Sequence, residues 1–514
     1  MRAVFFYISR AFDKVWSQGL IFKLKRIGIE GEMLAILESF LADRQQRVTL
    51  DSECSDWAGI EAGIPQGSIL GPILFLIYIN DLFEVVSSDI RIFADDTFIF
   101  RIIDQSSALE LSRDLDRITD WAHAWKMLFN PDLSKQAVEV VFSKKRTKSI
   151  VLPLTFNGIA VKQADETKHL GIILDSKLNF KLHLDEKLAN ARSGLGLMKQ
   201  LKKWVSHRVL ENIYKLYVRP NLDYADVIYH KAAQKVSIFN NEITDLLMSS
   251  VESIQIEAGR IVSGAWKGTN TDKLYKNLGW ESLQDRRTMR KLCIIYETLD
   301  TRFPNYLHDS LELQKYHQNS RFYNQMLLKP IHCSNPYKHS FFPATITDWN
   351  KLDREVKESN SKTIFKKRIL NIIRPKKASY FGMRCNDRVR YLTMLRVELS
   401  PLRDHKFRHG FLDTSNNKCL VCGAKEDTRH YLTSCISFNL SRATLMQNVS
   451  EVVNFDMSNL LDKEVVHTLL FGRVDLNDQK ILLILNFVVD FIVKTKRLDT
   501  HREGGGGIDL VNQP

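Results

Sequence analysis

Apolar and polar positions divide the chain into an early part patterned like strands and a later part patterned like helices. Ala3 to Ile8 is an unbroken β-branched and aromatic run, the mark of a buried strand. Ser9 to Leu24 follows with helical spacing and carries Phe12, Val15 and Trp16 on one face. Glu61 to Pro72 is a Gly/Pro-punctuated loop that opens a strongly apolar helix running to Asn80-Asp81. Ile92-Phe93 and Phe98-Ile99-Phe100 bracket Ala94-Asp95-Asp96-Thr97, which predicts a tight hairpin with two carboxylates at its turn. Val151 to Val161 and Lys168 to Asp175 read as further strands. From Asp185 the period turns helical. Leu210, Ile213, Tyr214 and Tyr217 form one amphipathic stripe up to Pro220, and Leu247, Val251, Ile254, Ala258 and Ile261 form another. A last apolar helix spans Gln479 to Lys496, ahead of a flexible Gly504–Gly507 tail.

Length narrows the reading, and 514 residues suit two to four domains. A net charge of +13 favours a polyanionic partner, nucleic acid or an acidic membrane surface. No run reaches the ~18 apolar residues of a membrane span. Ile73 to Ile79 is short, and Ile481 to Val493 is interrupted by Asn486 and Asp490. Met1 to Ile8 is too brief for a signal peptide and lacks a small-residue cleavage site. The expectation is an intracellular protein, nuclear or cytoplasmic, with no membrane partner. Seven cysteines, three of them clustered late, point to metal chemistry in a reducing compartment rather than to disulfides.

Two features carry chemistry. Asp95 and Asp96 repel each other unless a cation lies between or beside them, and hard oxygen ligands of this kind suit Mg²⁺. Cys419-x₂-Cys422, then seven residues, His430, four more and Cys435 make a Cys₃His set suited to closed tetrahedral Zn²⁺, with Gly423 supplying the turn. Such a knuckle more often binds nucleic acid than catalyses.

Val4-Phe5-Phe6-Tyr7-Ile8-Ser9-Arg10-Ala11-Phe12-Asp13-Lys14-Val15 resembles motif A of the reverse transcriptases of non-LTR retrotransposons, of the jockey-like or LINE type. Ala62 to Leu82 resembles their motif B, and Phe93-Ala94-Asp95-Asp96 resembles motif C. Trp125 to Asn130 with Ser134-Lys135 resembles motif D, and Lys168 to Asp175 resembles motif E, the primer grip. The resemblance implies roles. Asp95 would bind catalytic Mg²⁺ with Asp96 in support, and Phe12 would be the steric gate under the incoming sugar. Gln66 and Gly67 would line the nucleotide and template pocket. Lys135 would sit near the leaving pyrophosphate, or be an ordinary surface lysine. Leu170 and Gly171 would form the primer grip. Implied partners are an RNA template, a DNA primer or target and deoxynucleoside triphosphates; implied cofactors are catalytic Mg²⁺ and structural Zn²⁺.

The fold expected is α+β. Residues 1–180 would form a partial palm with motifs A to E, 181–301 a helical thumb, 302–377 a linker or connection, and 378–514 a C-terminal region with the zinc knuckle. Lys202, Lys203, Arg286, Arg287, Arg290 and Lys291 would line the thumb toward a duplex. Lys144 to Lys148, Lys366 to Arg368 and Arg374 to Lys377 are basic runs, read as nucleic-acid contacts or solvated loops.

Two departures qualify the resemblance. Tyr7 stands where motif A carries aspartate, and a phenol with a pKa near ~10 is a poor Mg²⁺ ligand. Tyr and Asp codons can differ by one base. Asp13 is expected inside the following helix, where it cannot substitute. Fingers and the first palm elements, expected before motif A, have no counterpart, which reads as N-terminal truncation. The expectation is therefore an RNA-directed DNA polymerase that is degenerate and inactive in this copy. The alternative is a non-catalytic nucleic-acid-binding remnant using the basic thumb and the zinc knuckle.

Overall fold

The computed structural model describes residues 1–129 except 52 and 105, 137–143, 152–229, 237–314, 327–329, 340–373, and 386–499 except 474. Lys135, the 144–148 and 374–377 basic runs and the glycine tail lie outside the described residues. The chain divides into two compact units, Met1–His183 and Leu184–Pro514.

The first unit is built on strand β1 (Arg2–Tyr7). Four two-residue strands follow, β2 to β5 (Gln45–Gln46, Thr49–Leu50, Glu53–Cys54, Ala58–Gly59), then β6 (Asp89–Phe93), β7 (Asp96–Arg101) and β8 (Ala137–Val141). After them come β9 (Thr155–Phe156), β10 (Ile159–Ala160), β11 (Lys162–Ala164), β12 (Glu166–His169) and β13 (Ile172–Asp175). The main sheet runs β11-β8-β1-β7-β6, antiparallel except for β8 with β11. A central position explains why β1 is apolar without alternation, because both of its faces are covered. Val4, Phe6 and Ile8 enter a large core with helices α1 (Ser17–Arg26), α2 (Gly31–Leu41), α3 (Leu70–Ile79) and α4 (Ser107–Ala124). Ala3 and Phe5 point the other way, toward Phe98, Val140 and Leu174.

The expected helix from Ser9 to Leu24 is corrected. Arg10 adopts a left-handed φ of 47°, Ala11–Lys14 form a short 3₁₀ turn, and Val15 is extended before α1 begins at Ser17. Val15 is still fully buried, and Phe12 and Trp16 pack against the same core, so the apolar spacing marked the packing and not a continuous helix.

The second unit is helical: α5 (Lys181–Leu201), α6 (His207–Ile213), α7 (Arg219–Asp223), α8 (Asp226–Tyr229), α9 (Ser237–Ser263), α10 (Thr271–Leu278) and α11 (Leu283–Thr301) lead into further helices. One expected stripe is shifted. Leu210 and Tyr214 are buried, but Tyr217 is 61% exposed and Val218 takes its place in the core. A π turn over Tyr214–Val218 is the cause, since its extra residue advances the inward face by one position.

The basic face expected on the thumb is corrected in part: Lys202 and Lys203 are exposed, but the other four cations are not. Arg287 and Lys291 are buried, and Arg286 and Arg290 are largely covered. Arg286 pairs with Asp223 at 2.7 Å and with Glu281, Arg287 pairs with Asp226 at 3.2 Å, and Arg290 bridges Asp223 and Asp226. These cations hold α11 to α7 and α8 instead of facing a polyanion. Within the stretch expected as a linker or connection, part of the described chain is helical. Helices Phe341–Asn350 and Lys362–Ile373 share a core with α11 through Trp349, Phe365 and Ile369. No helix among the described residues is long and apolar enough to cross a membrane.

Candidate active site and metal centre

β6 and β7 form the predicted hairpin, with Phe93 opposite Asp96 and Ala94-Asp95 at the tip. Ala94 takes a φ of 53°, a left-handed conformation that costs a non-glycine residue roughly 1 kcal/mol. Both carboxylates are thereby carried at the end of a sheet anchored through Thr97 and Ile99, which are fully buried. Asp96 lies directly across from Tyr7 on β1. Partial burial, and secondarily the neighbouring charge of Asp95, hold the Asp96 carboxyl above its ordinary pKa. Burial and then the Asp96 charge raise the Tyr7 phenol, so it is a neutral donor at pH 7.

That donor is committed. Tyr7 Oη donates to the Lys168 carbonyl at 2.7 Å, tying β1 to the β12–β13 hairpin. The hairpin turns through Leu170 (φ 46°) and Gly171 (φ 73°), a two-residue turn with both positions left-handed, which suits the right-handed twist of its strands. His169, next to that turn, lies against Phe5 and Phe98 with ring centroids 5.2 and 5.0 Å away. Burial lowers its pKa and the nearby Asp96 charge works against that. The sequence reading passed over His169, although its place beside Leu170-Gly171 in an apolar run was a usable signal.

Motif A and motif B residues meet at a second point. Gln66 Nε2 donates to Asp13 Oδ1 at 2.7 Å, and both side chains are exposed. Asp13 sits in the 3₁₀ turn and not within a helix. Gly67 (φ 84°) has open space around it. The Phe12 ring stacks on Phe75 of α3 at 4.5 Å, which fixes its orientation. Lys135 lies outside the described residues.

Residues that fit a metal are found elsewhere. The ligand atoms of Cys419, Cys422, His430 and Cys435 all lie within 4.8 Å of one another. Cys419 Sγ and Cys435 Sγ are 3.9 Å apart, and Cys422 Sγ is 3.3 Å from His430 Nε2. Bonds of ~2.3 Å in a tetrahedron put sulfurs about 3.8 Å apart, so the four groups fit Zn²⁺. The local fold explains the convergence. Lys418 bridges Lys425, the Gly423 amide donates to the Cys419 carbonyl at 3.0 Å, and Asp427 accepts from the His430 amide at 2.8 Å. Tyr431 and Leu432 then enter the core of the last helix, Asp478–Thr495, so the knuckle is packed and not pendant. Among the described residues this is the one group of three or more such ligands. Among the described residues no third carboxylate forms such a group with Asp95 and Asp96.

A family model described as reverse transcriptase (RNA-dependent DNA polymerase) matches residues 2–174. The chain is also similar to the RNA-directed DNA polymerase from mobile element jockey of Drosophila melanogaster, 30% identical over 297 residues that cover 55% of this chain and 30% of that protein. The probable RNA-directed DNA polymerase from transposon X-element of the same fly is 28% identical over 321 residues, covering 60% and 32%. The matched region thus spans about a third of the length of these curated relatives.

Proposed function

We propose that the chain is a jockey-like reverse transcriptase of the non-LTR retrotransposons, one that keeps the palm's nucleic-acid architecture while lacking nucleotidyl transfer. One observation carries the reading: Tyr7 occupies the motif A position opposite Asp96, its hydroxyl spent on Lys168. Two-metal phosphoryl transfer needs carboxylates from both sides to hold the ions against the 3′-hydroxyl and the leaving oxygen. A neutral phenol opposite Asp96 leaves one side bare. Phe12, Gln66 and Gly67 would border the nucleotide, Leu170 and Gly171 would bring backbone to the primer, and Lys135 would serve the pyrophosphate. The Cys₃His knuckle would hold structural Zn²⁺ and present its surface to nucleic acid.

Primer extension on an RNA template tests this. The chain with Tyr7 is expected to add no nucleotide with Mg²⁺ or Mn²⁺, and incorporation above a no-enzyme control overturns the reading. A companion measurement is thermal denaturation with and without Mg²⁺. Tyr7→Asp should gain a Mg²⁺-dependent rise in Tm that the Tyr7 protein lacks.

A further inference from the structure

The corner between α5 and α6 presents an aromatic ring where a folded protein would ordinarily hide one. Trp204 is 84% exposed, although tryptophan is on average a largely buried residue. Lys202, Lys203 and Arg208 around it are exposed too. From Lys199 to Leu210 the sequence holds no acidic residue. Lys199, at one end of that stretch, is already paired with Glu257 at 3.1 Å.

The ring is held on a firm support. The Trp204 and Val205 amides both donate to the Leu201 carbonyl, at 2.8 and 3.1 Å, closing the end of α5. Ser206 caps α6 by accepting from the Val209 amide. Beneath the corner, His207 is buried with Nδ1 against the Val262 carbonyl, and Leu210 is buried beside it. A fixed backbone lowers the entropy lost when a partner docks on the ring.

A flat exposed indole among cations matches one partner chemistry closely: a strand with unpaired bases, whose π-faces stack on the ring while its phosphates meet the cations. We infer that the α5–α6 corner is a single-strand nucleic-acid contact, with Trp204 stacking on an unpaired base and Lys202, Lys203 and Arg208 taking the flanking phosphates. This rests on the nucleic-acid reading above and adds to it a strand state and a stacking residue outside the palm. A duplex offers phosphates but no free base face, so the corner would discriminate between the two.

The test uses the full chain and fluorescently labelled 12-nucleotide oligo(dT) and oligo(U), with a blunt DNA duplex of the same length, titrated at several salt concentrations. Trp204→Ala should weaken single-strand binding about 5- to 100-fold with an unchanged salt slope. Trp204→Phe should restore most of the affinity. Lys203→Gln and Arg208→Gln should each flatten the slope of log K against log salt by roughly 0.7. Unchanged helicity by circular dichroism keeps a folding defect apart from a lost contact. If Trp204→Ala binds single strands like the parent, or loses single strand and duplex equally, the proposal fails while the broader reading stands. If the parent chain binds no oligonucleotide, the broader reading fails with it. Trp204-dependent binding to phosphatidylserine vesicles in place of oligonucleotides overturns the proposal in favour of a membrane surface.

Discussion

Gly63 is pressed against Asp13: a β-carbon on Gly63 would lie 2.8 Å from the Asp13 α-carbon and 2.9 Å from the carbonyl oxygens of Asp13 and Phe12. The Gly63 amide donates to Val15 and the Ile64 amide to Phe12, so the motif B loop is sewn onto the motif A turn through backbone. With φ at 87° and backbone as its obstacle, Gly63→Ala cannot be relieved by a side-chain rotation. The expected cost is at least ~2 kcal/mol, from left-handed strain plus displacement of the turn. Urea denaturation checks it, and a variant within 0.5 kcal/mol of the parent would show that the two motifs are not locked together.

Asp226 gathers Arg287 and Arg290 in a buried site, and removing it takes one carboxylate from the buried Arg287 while Arg290 keeps Asp223. Asp226→Ala should destabilise the helical unit by about 3–5 kcal/mol. Arg287→Ala should behave the same way, appearing as lost stability rather than as a change in the salt dependence of oligonucleotide binding. An Arg287→Ala protein that folds normally but loses affinity would return that residue to the nucleic-acid face.

His405 introduces a pH dependence. It is almost fully buried, with Nδ1 at 2.8 Å from Ser400 Oγ and Nε2 at 3.3 Å from Thr428 Oγ1. Burial, aided by the Arg408 charge, lowers its pKa from 6.5 to about 4. A depressed folded pKa means that the unfolded chain takes up the proton first. The stability His405 contributes is therefore intact above pH 6.5 and is lost as pH falls from there toward about 4. The total is of order 3 kcal/mol for a shift of this size. Equilibrium denaturation from pH 7.5 to 4 checks it, and His405→Gln should flatten that dependence.

Zinc should be needed for the local fold from Lys418 to Cys435. A chelator at neutral pH is expected to release amide protection there and to loosen the packing of Tyr431 on the last helix. Cys422→Ser should weaken metal binding without abolishing it, since three ligands remain. Hydrogen exchange that is the same with and without chelator rules out the metal.

What the sequence made legible was local. Strand β1, the Asp95-Asp96 hairpin and the Cys/His spacing each depend on neighbours within a few residues, and each folds as those neighbours suggest. Misread positions depended on distant ones. Arg287 looks like any surface arginine until Asp226 is brought under it. Tyr217 fits a helical stripe unless the turn before Pro220 widens. Lys23 gives no hint that its ammonium will lie 3.6 Å from the centre of the Trp125 ring and 2.7 Å from Asp81. Asp114, another acid in an amphipathic helix, is buried and accepts from the Ser87 and Ser88 amides, which fixes the entry to β6.

Tyr7→Phe isolates the hydroxyl. Loss of the bond to Lys168 should cost about 0.5–1.5 kcal/mol. The effect should fall on the β12–β13 hairpin, seen as faster amide exchange from Glu166 to Asp175 with little change in β1. Uniform exchange across the sheet would mean that the hydroxyl is not a local tether.

The same tether makes position 7 a ratchet. An aspartate there would surrender the donor that holds Lys168 and would bring a third negative charge toward two that already repel. Its β12–β13 hairpin would be looser until a cation offset the crowded charge, whereas the tyrosine holds that hairpin unaided. An acid at this position would exchange a tether within the chain for one that a bound ion supplies.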